Sequence, residues 1–160
     1  MESVFSAPFF IQLLAKAGPQ DNPIVELIAS DAPICADIDP AKYLGVGLQE
    51  HLLEAVRERY EKHRFKRLEE PFLAPLYVAR LPAKERLGEF GELLANIRGD
   101  RCLLLDKLQK KDIEREPSCN LLRLMREHDF VLEHKESQPL DNGAGFLFLV
   151  FKKCLYNRSL

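Results

Sequence analysis

The chain is short of membrane-length apolar runs, of metal-binding spacings, of excess charge and, at one informative place, of glycine. Its longest uninterrupted apolar run is about six residues, Phe146 to Phe151, against roughly 20 for a spanning helix. The early apolar patch Phe9, Phe10, Ile11, Leu13, Leu14 follows no basic stretch: the only charge before it is Glu2, and Lys16 precedes the small residue Ala17. No secretory leader and no membrane partner are expected. Four cysteines, Cys35, Cys102, Cys119 and Cys154, form no CxxC pair, and the nearest two are 17 positions apart. That excludes a zinc framework and suits reduced thiols in the cytoplasm, the expected location. The formal net charge is −2, so nucleic acid is not an expected partner. Glycine is missing from the loop after Leu27, which reads Ile28, Ala29, Ser30, Asp31, Ala32.

What is present reads as a single domain over 1–160, with an N-terminal helix in 1–20 and an α/β core in 21–160. A chain of 160 residues buries roughly 70% of its unfolded surface and needs no staple. Ser6 to Ala17 reads as a helix, with Pro8 in its first turn and Gly18-Pro19 as its stop. Ile24 to Ala29 is a strand, followed by a short helix around Pro33 to Asp37 capped by Asp31. The turn Asp39-Pro40-Ala41-Lys42 leads into a buried strand, Tyr43 to Leu48. Leu48, Leu52, Val56 and Tyr60 recur every fourth residue and predict a helix over Gln49 to His63. Arg64 to Leu68 alternates as a third strand. Leu76 to Leu81 is a fourth, and Pro82 to Arg98 a helix stopped by Gly99. Its Gly88 and Gly91 would be explained by close approach to the sheet.

Arg101 to Asp106 is a fifth, fully buried strand, and Leu108 to Glu116 a charged loop. A helix from Pro117 or Ser118 to His128 follows. Two further strands, Phe130 to Glu136 and Phe146 to Phe151, flank the turn Asp141 to Gly145. Alternating strands and helices imply a doubly wound α/β fold, a parallel sheet covered on both faces. The closing hairpin forces one antiparallel strand into it.

The segments YLGVGLQEHLLEAVRERYEKHRFKRLE, RCLLLDKL and NLLRLMREHDFVLEHKE with GFLFLVFKK, in this order, resemble the class I S-adenosylmethionine-dependent methyltransferases from about Ile24 to Lys153. The resemblance implies a Rossmann-like three-layer sandwich with a mostly parallel seven-stranded sheet and one antiparallel strand near the C-terminus. It also locates departures. The family's first loop reads acidic, x, Gly, x, Gly, x, Gly. Here the acidic residue is Glu26, but the glycine positions are Ile28, Ser30 and Ala32, next to Asp31. The acidic residue that grips the ribose after the second strand is replaced by Gly47. Glycine serves close backbone approach to the ligand, and β-branched Ile28 is poor at that. Losing a charge-assisted bond costs roughly 1.5–3 kcal/mol, so the resemblance implies a remnant pocket at Glu26, Ile28, Ser30, Asp31, Ala32 and Gly47. The helix common between the third and fourth strands is also missing.

No catalytic residue is assigned. The leading expectation is a non-catalytic binding or assembly module with no cofactor and a protein partner or homodimer, contacted through the apolar N-terminal helix or a sheet edge. The alternative is an active methyltransferase with a rebuilt pocket, in which S-adenosylmethionine binds and Glu26, Asp31 and Asp37 supply the carboxylates. A third reading, an unrelated doubly wound protein, predicts a different strand order without an antiparallel strand between the fifth and sixth. His51, His63, His128 and His134 are scattered without a third ligand, so no metal is expected. The cluster Arg57, Arg59, Lys62, Arg64, Lys66, Arg67 reads as a solvated face paired with glutamates. Ser118 and Cys119 lie near a helix start, which can depress a thiol pKa, but Ser118 reads as a helix cap without chemistry, and Asp106 as the cap of the turn after the fifth strand.

Overall fold

The computed structural model describes residues 3–17, 23–109, 118–139 and 144–154. The chain runs α1 (Pro8–Ala17), β1 (Ile24–Leu27), β2 (Tyr43–Gly47), α2 (Glu50–Arg59), β3 (Arg64–Arg67), β4 (Phe72–Leu73), β5 (Leu76–Arg80), α3 (Leu87–Ala95), β6 (Ile97–Arg98), β7 (Arg101–Gln109), α4 (Cys119–Glu127), β8 (Phe130–Pro139) and β9 (Ala144–Lys153). The main sheet has seven strands in the order β3-β2-β1-β5-β7-β9-β8. Neighbours from β3 to β7 pair parallel. β9 is antiparallel to both β7 and β8. The expected seven-stranded, mostly parallel sheet is therefore present. The unrelated doubly wound reading is excluded, because β9 lies between the fifth and sixth strands of the sheet.

Side-chain alternation along the central strands makes the three layers. On β7, Cys102 and Leu104 join Phe90, Leu93 and Leu94 of α3 and Leu121 and Met125 of α4. Leu103 and Leu105 join Phe10 and Leu13 of α1 and Leu53 and Val56 of α2 on the other face. β9 repeats this, with Leu147, Leu149 and Phe151 on the first face and Phe146, Phe148 and Val150 on the second. Both faces must be apolar, so these strands read as continuous apolar runs.

Several elements differ from expectation. No helix forms over Pro33 to Asp37; the long β1–β2 connection carries only a 3-10 turn at Pro40–Lys42, capped by Asp39. α2 stops at Arg59, four residues short of His63. The helix expected over Pro82 to Arg98 is divided. A 3-10 turn, Lys84–Arg86, leads into α3, and Ile97–Arg98 becomes β6, paired parallel with β4. The Tyr77 hydroxyl ties this small sheet down. It donates to the Arg98 carbonyl at 2.7 Å, lies against the Phe72 carbonyl, and accepts from the Arg98 amide at 3.3 Å. Gly99 follows β6 rather than capping a helix. A Cβ there would sit 2.2 Å from the Ala74 carbonyl oxygen, so only glycine fits. Gly91 approaches Leu124 of α4, not the sheet, and Gly88 faces open space. β7 runs on to Gln109, so Leu108 is strand rather than loop; residues 110–117 and the turn residues 141–143 lie outside the described residues. As expected, no helix intervenes between β3 and β5. No helix among the described residues is long and apolar enough to cross a membrane.

Candidate functional site

The carboxyl ends of β1, β5 and β7 enclose an open cavity of about 380 Å³, within the size range of small-ligand sites. Its floor is the end of β1 and the loop after it: Glu26, Ile28, Ser30, Ala32 and Pro33. Its other walls are Arg80 to Ala83, Arg86 and Asp106. Four of the six expected remnant positions thus meet in one place: Glu26, Ile28, Ser30 and Ala32. Asp31 is exposed and Gly47 is buried elsewhere; neither lines the cavity.

Glu26 sits on β1 between β2 and β5 and is 1% exposed. A charge this deep requires dedicated partners. Oε2 accepts from the Ile34 amide at 2.7 Å. Oε1 accepts from the Cys35 amide at 3.1 Å and the Tyr43 hydroxyl at 2.8 Å. Burial pushes its pKa up to about 7, against the pull of those donors and of Arg80. The same burial, with Glu26 beside them, raises the Cys35 thiol and the Tyr43 hydroxyl, so neither is a nucleophile. The amides of Ile34 and Cys35 thus turn toward a tertiary carboxylate. They are the donors that a loop of this kind would otherwise offer an anionic ligand.

The rest of the loop is equally self-contained. The Ser30 hydroxyl accepts from the Ala32 amide at 3.3 Å. The Ala32 carbonyl accepts from Arg80 Nε at 2.9 Å, and the Asp31 carbonyl from Arg59 at 2.7 Å. Arg80 Nη1 also meets Asp106 Oδ1 at 3.2 Å. Asp106 Oδ1 accepts from the Lys107 amide at 2.8 Å and lines the cavity; because β7 continues to Gln109, Asp106 sits within the strand rather than capping a turn after it as expected. Arg80 and Arg86 were not singled out from the sequence. The signal for Arg80 is an arginine closing an otherwise apolar strand, LYVAR, at its carboxyl end.

On the far side of Ile28 lies a crevice lined by Ile28, Leu48, Leu52, Leu93 and neighbours, of about 10 Å³. That is room for about one water. A Cβ on Gly47 would meet the Ile28 carbonyl oxygen at 3.0 Å and Leu53 Cδ2 at 3.3 Å. Ile28 itself continues the ladder, its amide donating to the Val46 carbonyl at 2.7 Å. The position at which the resemblance put a ribose-gripping carboxylate is therefore packed shut.

The other sequence features have local roles. His63 bonds the Ile38 carbonyl at 2.8 Å, His134 pairs with Glu136, and His51 is exposed. Arg57 bonds Glu50 and the Phe65 carbonyl, while Lys62, Arg64, Lys66 and Arg67 lie on an exposed face. The Ser118 hydroxyl caps α4 through the Leu121 amide at 3.1 Å. Among the described residues no three His, Cys, Asp or Glu side chains gather to hold a metal.

No family model matches the chain, and no curated protein does. Solved structures do. Magnesium protoporphyrin IX methyltransferase from Synechocystis with bound S-adenosylmethionine is 10% identical, covering 93% of this chain and 78% of its own, with a TM-score of 0.56. The same enzyme with bound S-adenosylhomocysteine gives 0.57 at 10% identity, covering 93% and 82%. A TehB-like S-adenosylmethionine-dependent methyltransferase from Corynebacterium glutamicum gives 0.52 at 16% identity, covering 89% and 86%. The chain has the class I methyltransferase-like fold. The expectation of a domain without cofactor draws no support from these neighbours, which include structures with that cofactor bound.

Proposed function

We propose that this chain is a binding module on the methyltransferase fold, holding a small polar ligand in the cavity between β1, β5 and β7 without transferring a methyl group. The contrast between two adjacent spaces carries this reading. The cavity is open at about 380 Å³, and the crevice behind Ile28 is closed at about 10 Å³. A cofactor with a nucleoside attached to an amino-acid end needs both. The reading is supported by the close contacts a side chain at Gly47 would meet, 3.0 Å to the Ile28 carbonyl oxygen and 3.3 Å to Leu53, and by the loop amides that already serve Glu26. Isothermal titration with S-adenosylmethionine and S-adenosylhomocysteine tests the reading. Neither is expected to bind at micromolar concentration, and micromolar binding of either overturns it.

An active methyltransferase with a rebuilt pocket is the second reading. It is favoured by the open cavity at the named positions and by the methyltransferases among the solved structures. Under it, S-adenosylmethionine binds and Glu26, Asp31 and Asp37 provide the carboxylates. Glu26→Ala then abolishes transfer, and unchanged transfer removes this version. A protein partner or a homodimer belongs to the first reading. Phe10 is buried and Phe9 packs on Phe148 and His134, so within α1 the contact would fall to exposed Ile11. A monomeric elution profile at high concentration counts against the homodimer.

A further inference from the structure

We propose that the sheet face crossed by the β3–β5 connection docks an acidic amphipathic helix of a partner protein, with Leu73 at the apolar centre of the contact and Arg64, Lys66 and Arg98 around it. The inference goes beyond the cavity and does not depend on what the cavity binds. A connection between parallel strands ordinarily carries an α-helix that covers the sheet. Between β3 and β5 the only helix or strand is β4, two residues long. The cover it provides is thin. Leu44 of β2 and Phe72 of β4 pack on the core of this face and yet stay only half-buried.

The small sheet sets what this face presents. Phe72 pairs with Ile97, and Leu73 with Arg98. Side chains alternate along a strand, so the buried Ile97 marks the inward side, and Leu73 and Arg98 share the outward one. Leu73 is 74% exposed and Arg98 is exposed beside it. On β3, Arg64 and Lys66 lie in register with Leu44 and Val46, on the face that Phe72 covers. Both are exposed, and Lys66 Nζ stands 5.8 Å from the centre of the Phe72 ring. Cations therefore lie on both sides of Leu73. Among the described residues Arg64, Lys66 and Arg98 form no ion pair, not even with Glu69 and Glu70 of the same connection.

Unneutralised cations around an exposed leucine select the occupant. A second copy docking through the same face would bring like charges together. A wholly apolar helix would strip water from the cations without pairing them. A nucleic acid would meet the cations but leave Leu73 without an apolar contact, and the net charge of −2 gives it no long-range attraction. A helix with an apolar stripe flanked by carboxylates satisfies both demands. The stripe covers Leu73 and Phe72, and the carboxylates reach Lys66 and Arg98.

The test is fluorescence anisotropy on the full chain with a labelled helical peptide about 18 residues long, carrying a leucine stripe flanked by glutamates. Two further probes are the same peptide with every glutamate replaced by lysine, and a polyuridine RNA. The acidic peptide is expected to bind about tenfold or more tighter than the lysine peptide, and more weakly as salt is added. Without a local site the net negative chain would favour the lysine peptide, so this order is diagnostic. Leu73→Ser, and Lys66→Glu with Arg98→Glu, should each weaken the acidic peptide about tenfold. Amide shifts of the nitrogen-15-labelled chain should fall on β3, β4 and β6. The proposal is overturned if the acidic peptide fails to bind at millimolar concentration, binds no tighter than the lysine peptide or the RNA, or shifts amides elsewhere. The peptide comparison and the shift map use the wild type, so a misfolded variant leaves them decisive.

Discussion

Glu26→Gln should change how stability depends on pH, and the size of the change follows from the carboxyl's surroundings. Folding moves the Glu26 pKa from 4.5 to about 7, with burial the main cause. The folded protein therefore binds this proton more tightly than the unfolded chain. Below about pH 4.5 both states are protonated and the group's stabilising contribution is complete. Between there and about pH 7 the unfolded chain ionises while the folded one resists. Stability falls at up to 1.36 kcal/mol per pH unit, for a total of about 3 kcal/mol. Above that window nothing further is lost. Glutamine has no proton to release, so the variant lacks this slope.

The substitution has a constant cost as well. One carboxamide oxygen cannot serve both sides of the site, so either the Ile34 amide or the Cys35 amide and Tyr43 hydroxyl face an N–H₂ group. An unsatisfied buried donor costs roughly 1–3 kcal/mol. Glu26→Gln should thus be clearly less stable than wild type near pH 5, and equal or more stable near pH 8. The chain has no tryptophan, so urea unfolding followed by far-ultraviolet circular dichroism is the assay. Equal m-values would confirm that only stability moved. Wild type and variant losing stability in parallel between pH 5 and 8 would refute the reasoning, because other titrating groups are common to both.

Gly47→Asp should fail to create a ribose-gripping carboxylate. Its Cβ meets a backbone oxygen at 3.0 Å, so it should cost about 1–3 kcal/mol in urea unfolding and gain no nucleoside binding by calorimetry. Gly99→Ala brings a methyl to 2.2 Å from the Ala74 carbonyl. The expected loss is about 3 kcal/mol, at the upper end for overpacking, and an unchanged melting curve would contradict the backbone contact. Tyr77→Phe removes the hydroxyl shared by β4 and β6 and should cost about 1–3 kcal/mol, with faster hydrogen exchange at the Phe72 and Ala74 amides, which bond across to Asn96 and Arg98.

The central strands were readable from the sequence because each is buried on both faces and so shows as an apolar run between helical patterns. The alternation in β8 and the turn before β9 marked the closing hairpin, while the insertion of β9 as an antiparallel strand was implied by the family resemblance. What escaped reading depended on contacts distant in sequence. Asp31 and Pro33 look like a helix start, but the segment runs on as bends and turns, with the Ile34 and Cys35 amides held by the distant Glu26 carboxylate. The pattern from Pro82 to Arg98 is helical throughout, yet the Tyr77 hydroxyl and the Ala74 amide, both bonded to the Arg98 carbonyl, draw its end into β6. The site divided along similar lines. The loop positions were found by their departure from a motif. Arg80 was passed over because its partners, Ala32 and Asp106, lie 48 and 26 residues away.

The place of β9 has a consequence for how the molecule is made. It is the last strand of the sheet to be synthesised, yet it sits inside, between β7 and β8. Until it arrives, β7 presents a bare edge with Leu103, Leu104 and Leu105 along it, and β8 has no neighbour at all. Such an intermediate resembles an unprotected edge strand, the usual template for misassembly. A nascent chain stalled before Ala144 should therefore be sticky and sensitive to protease. Completion of the fold is then a single late event, in which one apolar strand pairs with β7 and brings β8 onto the sheet with it.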